Sequence, residues 1–164
     1  MSNIRTFVEE FKVTIETAAT RLHAISDTQS QLDTNDRAWC PKQIIGHLID
    51  SAAHNHQRFV RAQFKDDLRF EPYEQDRWVE LQQYTREPWH RLVDLWKNYN
   101  LHLAHLISNI PAGVLQTQRT QHNLDQIAWQ TVETDQPTTL DYFIRDYVGH
   151  LRHHLAQIFP GESD

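Results

Sequence analysis

Tyr147-Val148-Gly149-His150-Leu151-Arg152-His153-His154-Leu155-Ala156-Gln157-Ile158 is the stretch on which the reading of this chain turns. It continues an apolar series (Leu140, Phe143, Ile144, Tyr147, Leu151, Leu155, Ile158) whose steps of three and four mark an amphipathic helix. Thr138 or Thr139 would cap its start, and Pro160-Gly161 would end it. His150 and His154 lie four apart, so a helix stacks them on one face. The chain has 11 histidines, and this is its single pair at that spacing. On a 3.6-residue wheel His154 falls inside the apolar stripe and His150 at its edge, whereas His153 falls about a third of a turn further out, toward solvent.

Three other segments carry helical periodicity. From Ser2 to Ile25, apolar residues recur at Ile4, Phe7, Val8, Phe11, Ile15, Ala18, Ala19, Leu22 and Ile25, with Ser2 or Asn3 as the cap. The polar run Asp27 to Asp36 reads as a loop. A second helix starts near Pro41, a favoured first-turn residue, and follows Ile44, Ile45, Leu48, Ala52, Phe59 and Ala62. A third, from about Glu87 to Asn109, repeats almost by sevens through Trp89, Leu92, Trp96, Tyr99, Leu103, Leu106 and Ile110. The connections between them, residues 66 to 86 and 116 to 136, are long for a compact bundle. Glu74 to Tyr84 can hold a short helix, and Ile127-Ala128-Trp129 a short extended segment. The expected fold is all-α: a four-helix bundle with long crossover connections, in one domain spanning residues 1–164.

Composition narrows the function. A net charge of −6 lacks the basic face that a nucleic-acid binder needs. Cys40 is the single cysteine, which excludes an intrachain disulfide and a thiolate metal cluster. No apolar run approaches membrane-spanning length, and Met1-Ser2-Asn3-Ile4-Arg5 has no apolar signal core, so a cytoplasmic protein without membrane partners is expected.

A third ligand for a metal at His150 and His154 has its best candidate in His47, at the margin of the second helix. Three neutral imidazoles suit a divalent ion such as zinc or nickel and leave a position for water or substrate. Bound there, the ion would lower the pKa of water toward ~7, polarise a carbonyl, or hold a substrate thiolate. Asp50, nearly a turn after His47, and Asp146, a turn before His150, are candidate catalytic or ligand-orienting carboxylates; each reads equally well as a solvated helix-surface group. His47, Ser51, His54 and Arg58 form a polar row beside the apolar stripe. The row either lines a wet pocket, with Ser51, His54 and Arg58 facing a ligand, or marks the border of helix and solvent. Two of the four glycines precede suspected ligands, in Gly46-His47 and Gly149-His150. Glycine inside a helix costs about 1 kcal/mol relative to alanine, so space for a close helix approach is expected at both.

The stretch from Trp39-Cys40-Pro41-Lys42-Gln43 through Gly46-His47-Leu48-Ile49-Asp50-Ser51, with Asn55 and Arg58-Phe59, resembles the second-helix signature of the DinB/YfiT-like family. The closing stretch from Thr139-Leu140 through His150-Leu151-Arg152-His153-His154 is similar to the same family's last helix. The resemblance implies a four-helix bundle, often a homodimer, with a divalent metal on His47, His150 and His154. It also implies metal-dependent hydrolysis or, in some branches, transfer or isomerisation with a small thiol cofactor, acting on a small molecule. Cys40 stands where a Ser or Thr cap is commoner; it is either a reactive thiol at a helix N-terminus or a half-buried substitute for the cap. The competing expectation is a non-catalytic bundle whose metal is structural or whose pocket only binds a ligand.

Overall fold

A computed structural model describes residues 3–33 and 39–160. The end of the expected loop, up to Asp36, lies partly outside these. Four long helices carry the architecture: α1 (Ile4–His23), α2 (Pro41–Arg61), α4 (Trp89–Ser108) and α7 (Leu140–Ile158). Three short ones, α3 (Gln75–Gln82), α5 (Ala112–Gln116) and α6 (Leu124–Ile127), sit in the connections. Helix starts follow local chemistry. The Asn3 side chain accepts from Arg5 N–H at 3.0 Å, and Thr139 Oγ1 accepts from Tyr142 N–H at 3.1 Å, each satisfying a first-turn donor. At the start of α2, the backbone N–H of buried Cys40 donates to Gln43 Oε1 at 3.1 Å, half of a capping box, and Pro41 takes the first helical position.

The four long helices form a ring in which α1 and α2 lie diagonally, each packed against α4 and α7. Trp96, Phe11, Phe59 and Phe143 fill the centre and are fully buried, each contributing about 1.5–3 kcal/mol by leaving water. Tyr147 of α7 meets Phe11 edge-on at 6.3 Å and Phe59 at 5.7 Å, so one ring ties three helices together. Its hydroxyl donates to Asn100 Oδ1 at 2.5 Å, and Asn100 in turn donates to Trp96 O, which satisfies the Tyr147 hydroxyl and the Asn100 amide at the core of the bundle.

The buried face of α4 departs from the heptad reading. Val93, Asn100, Ala104 and Ile107 are buried, while Tyr99 and Leu106 are half-exposed. Because α4 packs on both α1 and α2, it needs a wider stripe than a two-helix seam.

The two long connections form a joined layer. Leu68 N–H donates to Gln121 O, Asn123 N–H donates to Leu68 O, and the Asn123 side chain bonds both backbone groups of Phe70. Arg119 pairs with Thr138 through the backbone and reaches Lys65 O at 2.8 Å with its guanidinium, capping the exit of α2. The expected extended segment at 127–129 is instead the end of α6 followed by an extended Ala128. Among the described residues no helix is long and apolar enough to cross a membrane.

Candidate metal centre

The expected three histidines meet. His47 from α2 and His150 and His154 from α7 turn their Nε2 atoms toward one point; His150 Nε2 lies 3.3 Å from that of His47 and 3.0 Å from that of His154. Two nitrogens sharing one tetrahedral ion at about 2.0–2.1 Å sit roughly 3.3 Å apart, so these two spacings suit a shared cation, and the ligand atoms of all three rings lie within 4.8 Å of one another. The chemistry of the three rings agrees. Burial, and then the neighbouring histidine charges, push His47 and His150 down to about 3, and burial lowers His154, so all three are neutral near pH 7. His150 Nε2 faces two other ring nitrogens and has at most one proton to share. A cation satisfies all three lone pairs together. No fourth His, Cys, Asp or Glu joins the group among the described residues, which leaves coordination room for water or substrate.

The surroundings hold the rings in place. His154 Nδ1 donates to Gln157 Oε1 at 2.9 Å, which fixes the tautomer with Nε2 free. Trp39 lies against His47 at 5.0 Å between ring centroids and reaches His154 at 6.4 Å. His47 Nδ1 is buried without a partner, so that ring is positioned by packing. Sequence reasoning gave neither residue this role, although Trp39 opens the second-helix signature and Gln157 follows His154 at a helical spacing of three.

Both glycines make room for aromatic rings from the connections, and not for a second helix. A Cβ at Gly46 would meet the Tyr84 ring at 2.1 Å, and one at Gly149 would meet Trp129 at 3.1 Å. Tyr84 is brought there by a left-handed Gln83 that ends α3.

Neither candidate carboxylate orients a ligand. Asp50 accepts from Tyr84 Oη at 2.6 Å and Gln82 Nε2 at 2.7 Å, and burial raises its pKa. Asp146 accepts the backbone N–H groups of Trp129 and Gln130 at 2.9 and 2.7 Å and so clamps that loop onto α7. The polar row on α2 divides. Ser51 and Arg58, with Asn55 between them, line a cavity of about 410 Å³ that reaches His150 and His154. His54 does not line it; its ring stacks on Tyr73 at 3.7 Å and meets Trp78 edge-on, while Nδ1 donates to Asp50 O. The remaining walls come from α7 and from the two crossings, notably Tyr73 and Trp129, which periodicity alone does not reveal. His153, exposed and 5.4 Å from Trp129 between ring centroids, stands at the edge of this cavity and outside the trio.

Comparison with known proteins fits this geometry. No family model matches the chain. The "Putative metal-dependent hydrolase BH0277" of Halalkalibacterium halodurans is 27% identical over 88% of this chain and 80% of its own length. The "Putative metal-dependent hydrolase YfiT" of Bacillus subtilis is 28% identical over 80% of this chain and 69% of its own. The solved structure of Bacillus subtilis YfiT, described as a probable metal-dependent hydrolase with an unusual four-helix bundle topology, superposes with a TM-score of 0.77, covering 97% of this chain and 86% of that one at 18% identity. The chain is similar over most of its length to both "Putative metal-dependent hydrolase" proteins. Its helical-bundle architecture is that of YfiT, and a divalent metal is the group that both its histidine trio and the names of its YfiT-like relatives support.

Proposed function

We propose that this chain is a metal-dependent hydrolase of small molecules, with His47, His150 and His154 holding one divalent ion, zinc or nickel by the preference of three imidazoles. The observation that carries the proposal is the convergence of three neutral imidazoles, two of which, His150 and His154, line one end of a polar-walled cavity. A divalent ion bound there supplies Lewis acidity and lowers the pKa of a water molecule. The chain supplies the rest. Gln157 fixes His154, Asp146 holds the Trp129 loop as a wall, and Ser51 presents a polar surface to the substrate. A cavity of about 410 Å³ suits a small molecule. The absence of a fourth protein ligand among the described residues favours a catalytic over a structural metal. The same open position also suits a small thiol cofactor, and transfer from such a thiol is the second reading.

The test is elemental analysis of untagged protein, followed by a panel of esters and amides assayed with and without added thiols. About one ion per chain, lost in His150→Ala together with hydrolysis, supports the proposal. Turnover that requires a thiol moves the assignment to transfer. Full metal content in His150→Ala overturns the site.

A further inference from the structure

The far end of the cavity holds a charge without a counter-charge. Arg58 is 94% buried, and its guanidinium donates to Glu71 O at 3.0 Å; among the described residues it pairs with no carboxylate. A buried arginine stays protonated and is costly to leave without an anion. One turn earlier on the same face of α2, Asn55 is also 94% buried. Its amide nitrogen bonds Ser51 O at 2.9 Å, while its Oδ1 is buried with no partner at all. Both residues line the cavity that ends at His150 and His154. The single carboxylate in that lining among the described residues, Asp146, already has both oxygens engaged by backbone N–H groups. The cavity therefore offers one unneutralised cation, one unused acceptor beside it, and the histidine trio away from both. Eleven residues of helix separate His47 from Arg58, a rise of about 16 Å that the long arginine side chain can shorten.

We infer that Arg58 and Asn55 form a subsite for a carboxylate with a hydrogen-bond donor next to it, so that the substrates are elongated amido- or hydroxy-carboxylates whose labile group faces the three histidines. The carboxylate meets the planar guanidinium, and the neighbouring N–H or O–H donates to Asn55 Oδ1. This deepens the proposed function and rests on it for the chemistry at the opposite end of the cavity.

Titration calorimetry with N-acetylglycine, which carries both groups, and with neutral N-acetylglycinamide tests the subsite. Each is run on the protein as purified and after chelation. The acid should bind wild-type protein in both states, and the amide should bind at least about tenfold more weakly. Arg58→Gln should weaken the acid by about tenfold or more without lowering metal content, Arg58→Lys should retain part of the binding, and Asn55→Asp, which sets a negative charge beside the guanidinium, should abolish it. No saturation of wild type by the acid, equal binding of acid and amide, or an unchanged Arg58→Gln would overturn the subsite. So would binding that survives Arg58→Gln and vanishes on chelation, because the acid would then sit on the ion. If Arg58→Gln does not fold, the wild-type comparison of acid with amide and the near-isosteric Asn55→Asp still decide. Should the protein prove metal-free and yet select the acid through Arg58, the metal assignment fails and the subsite stands.

Discussion

The Tyr84 ring lies across the backbone of Gly46 so closely that the first carbon of any side chain there would fall 2.1 Å from it. Tyr84 is itself fixed, 4% exposed and bonded through its hydroxyl to Asp50. Gly46→Ala should therefore destabilise the fold by about 1–3 kcal/mol despite the helix propensity of alanine. In a thermal melt this is a fall of several degrees, roughly 2–4 °C per kcal/mol for a chain of this size.

Gly149→Ala is the contrasting case. Its new methyl group would meet Trp129 at 3.1 Å, and that indole is 43% exposed and able to move outward. Stability should change by less than about 1 kcal/mol, while the fluorescence of Trp129 shifts. A collapse as severe as that of Gly46→Ala would show that the indole is held rigidly.

Gln157→Leu removes the acceptor that orients His154. Metal affinity, measured by competition with a chromophoric chelator, should fall by about 10–100-fold with little change in melting temperature.

Asp146→Asn leaves one carbonyl oxygen where two carboxylate oxygens held Trp129 and Gln130. The expected cost is about 1–3 kcal/mol. Amide exchange at these two residues should accelerate while metal content is kept. Loss of the metal in this variant would instead assign Asp146 to the ligand set.

The acid limb of stability should depend on Asp27. The Trp89 backbone N–H, followed by Lys42, holds its carboxyl below the ordinary 3.8. The folded state therefore binds its proton less readily than the unfolded chain. The resulting stabilisation is complete above that ordinary value and is lost as pH falls through the lower folded one. Denaturant midpoints of wild type and Asp27→Asn should differ at neutral pH and converge in strong acid. A constant gap across the range would remove the charge from the explanation.

Much of this was legible in the chain. The α7 wheel separates His154 and His150 from His153, because burial of an apolar stripe fixes which side of the helix faces inward. His47 could be named for the same reason, since Pro41 sets the start of α2 and the stripe sets its rotation. Periodicity is silent about the connections. Tyr73, Tyr84 and Trp129 reach the site from segments whose course depends on long-range pairs such as Leu68 with residues 121 and 123. For Asp50 and Asp146 the sequence left two readings open, a carboxylate serving the ligands and a solvated surface group; both are buried, and the partners they bond arrive from those same segments. His54 failed as a cavity residue for a related reason: Tyr73 and Trp78 cover its ring.

The joined crossings have a consequence for how such a site diversifies. The ion-gripping rings belong to two packed helices, where few exchanges are tolerated. Much of the mould that a substrate must fit is cast from Tyr73 and residues 126–129, outside the four long helices. Residues there can be exchanged without disturbing the grip, so one reactive centre can be offered to new molecules by rewriting its lining alone.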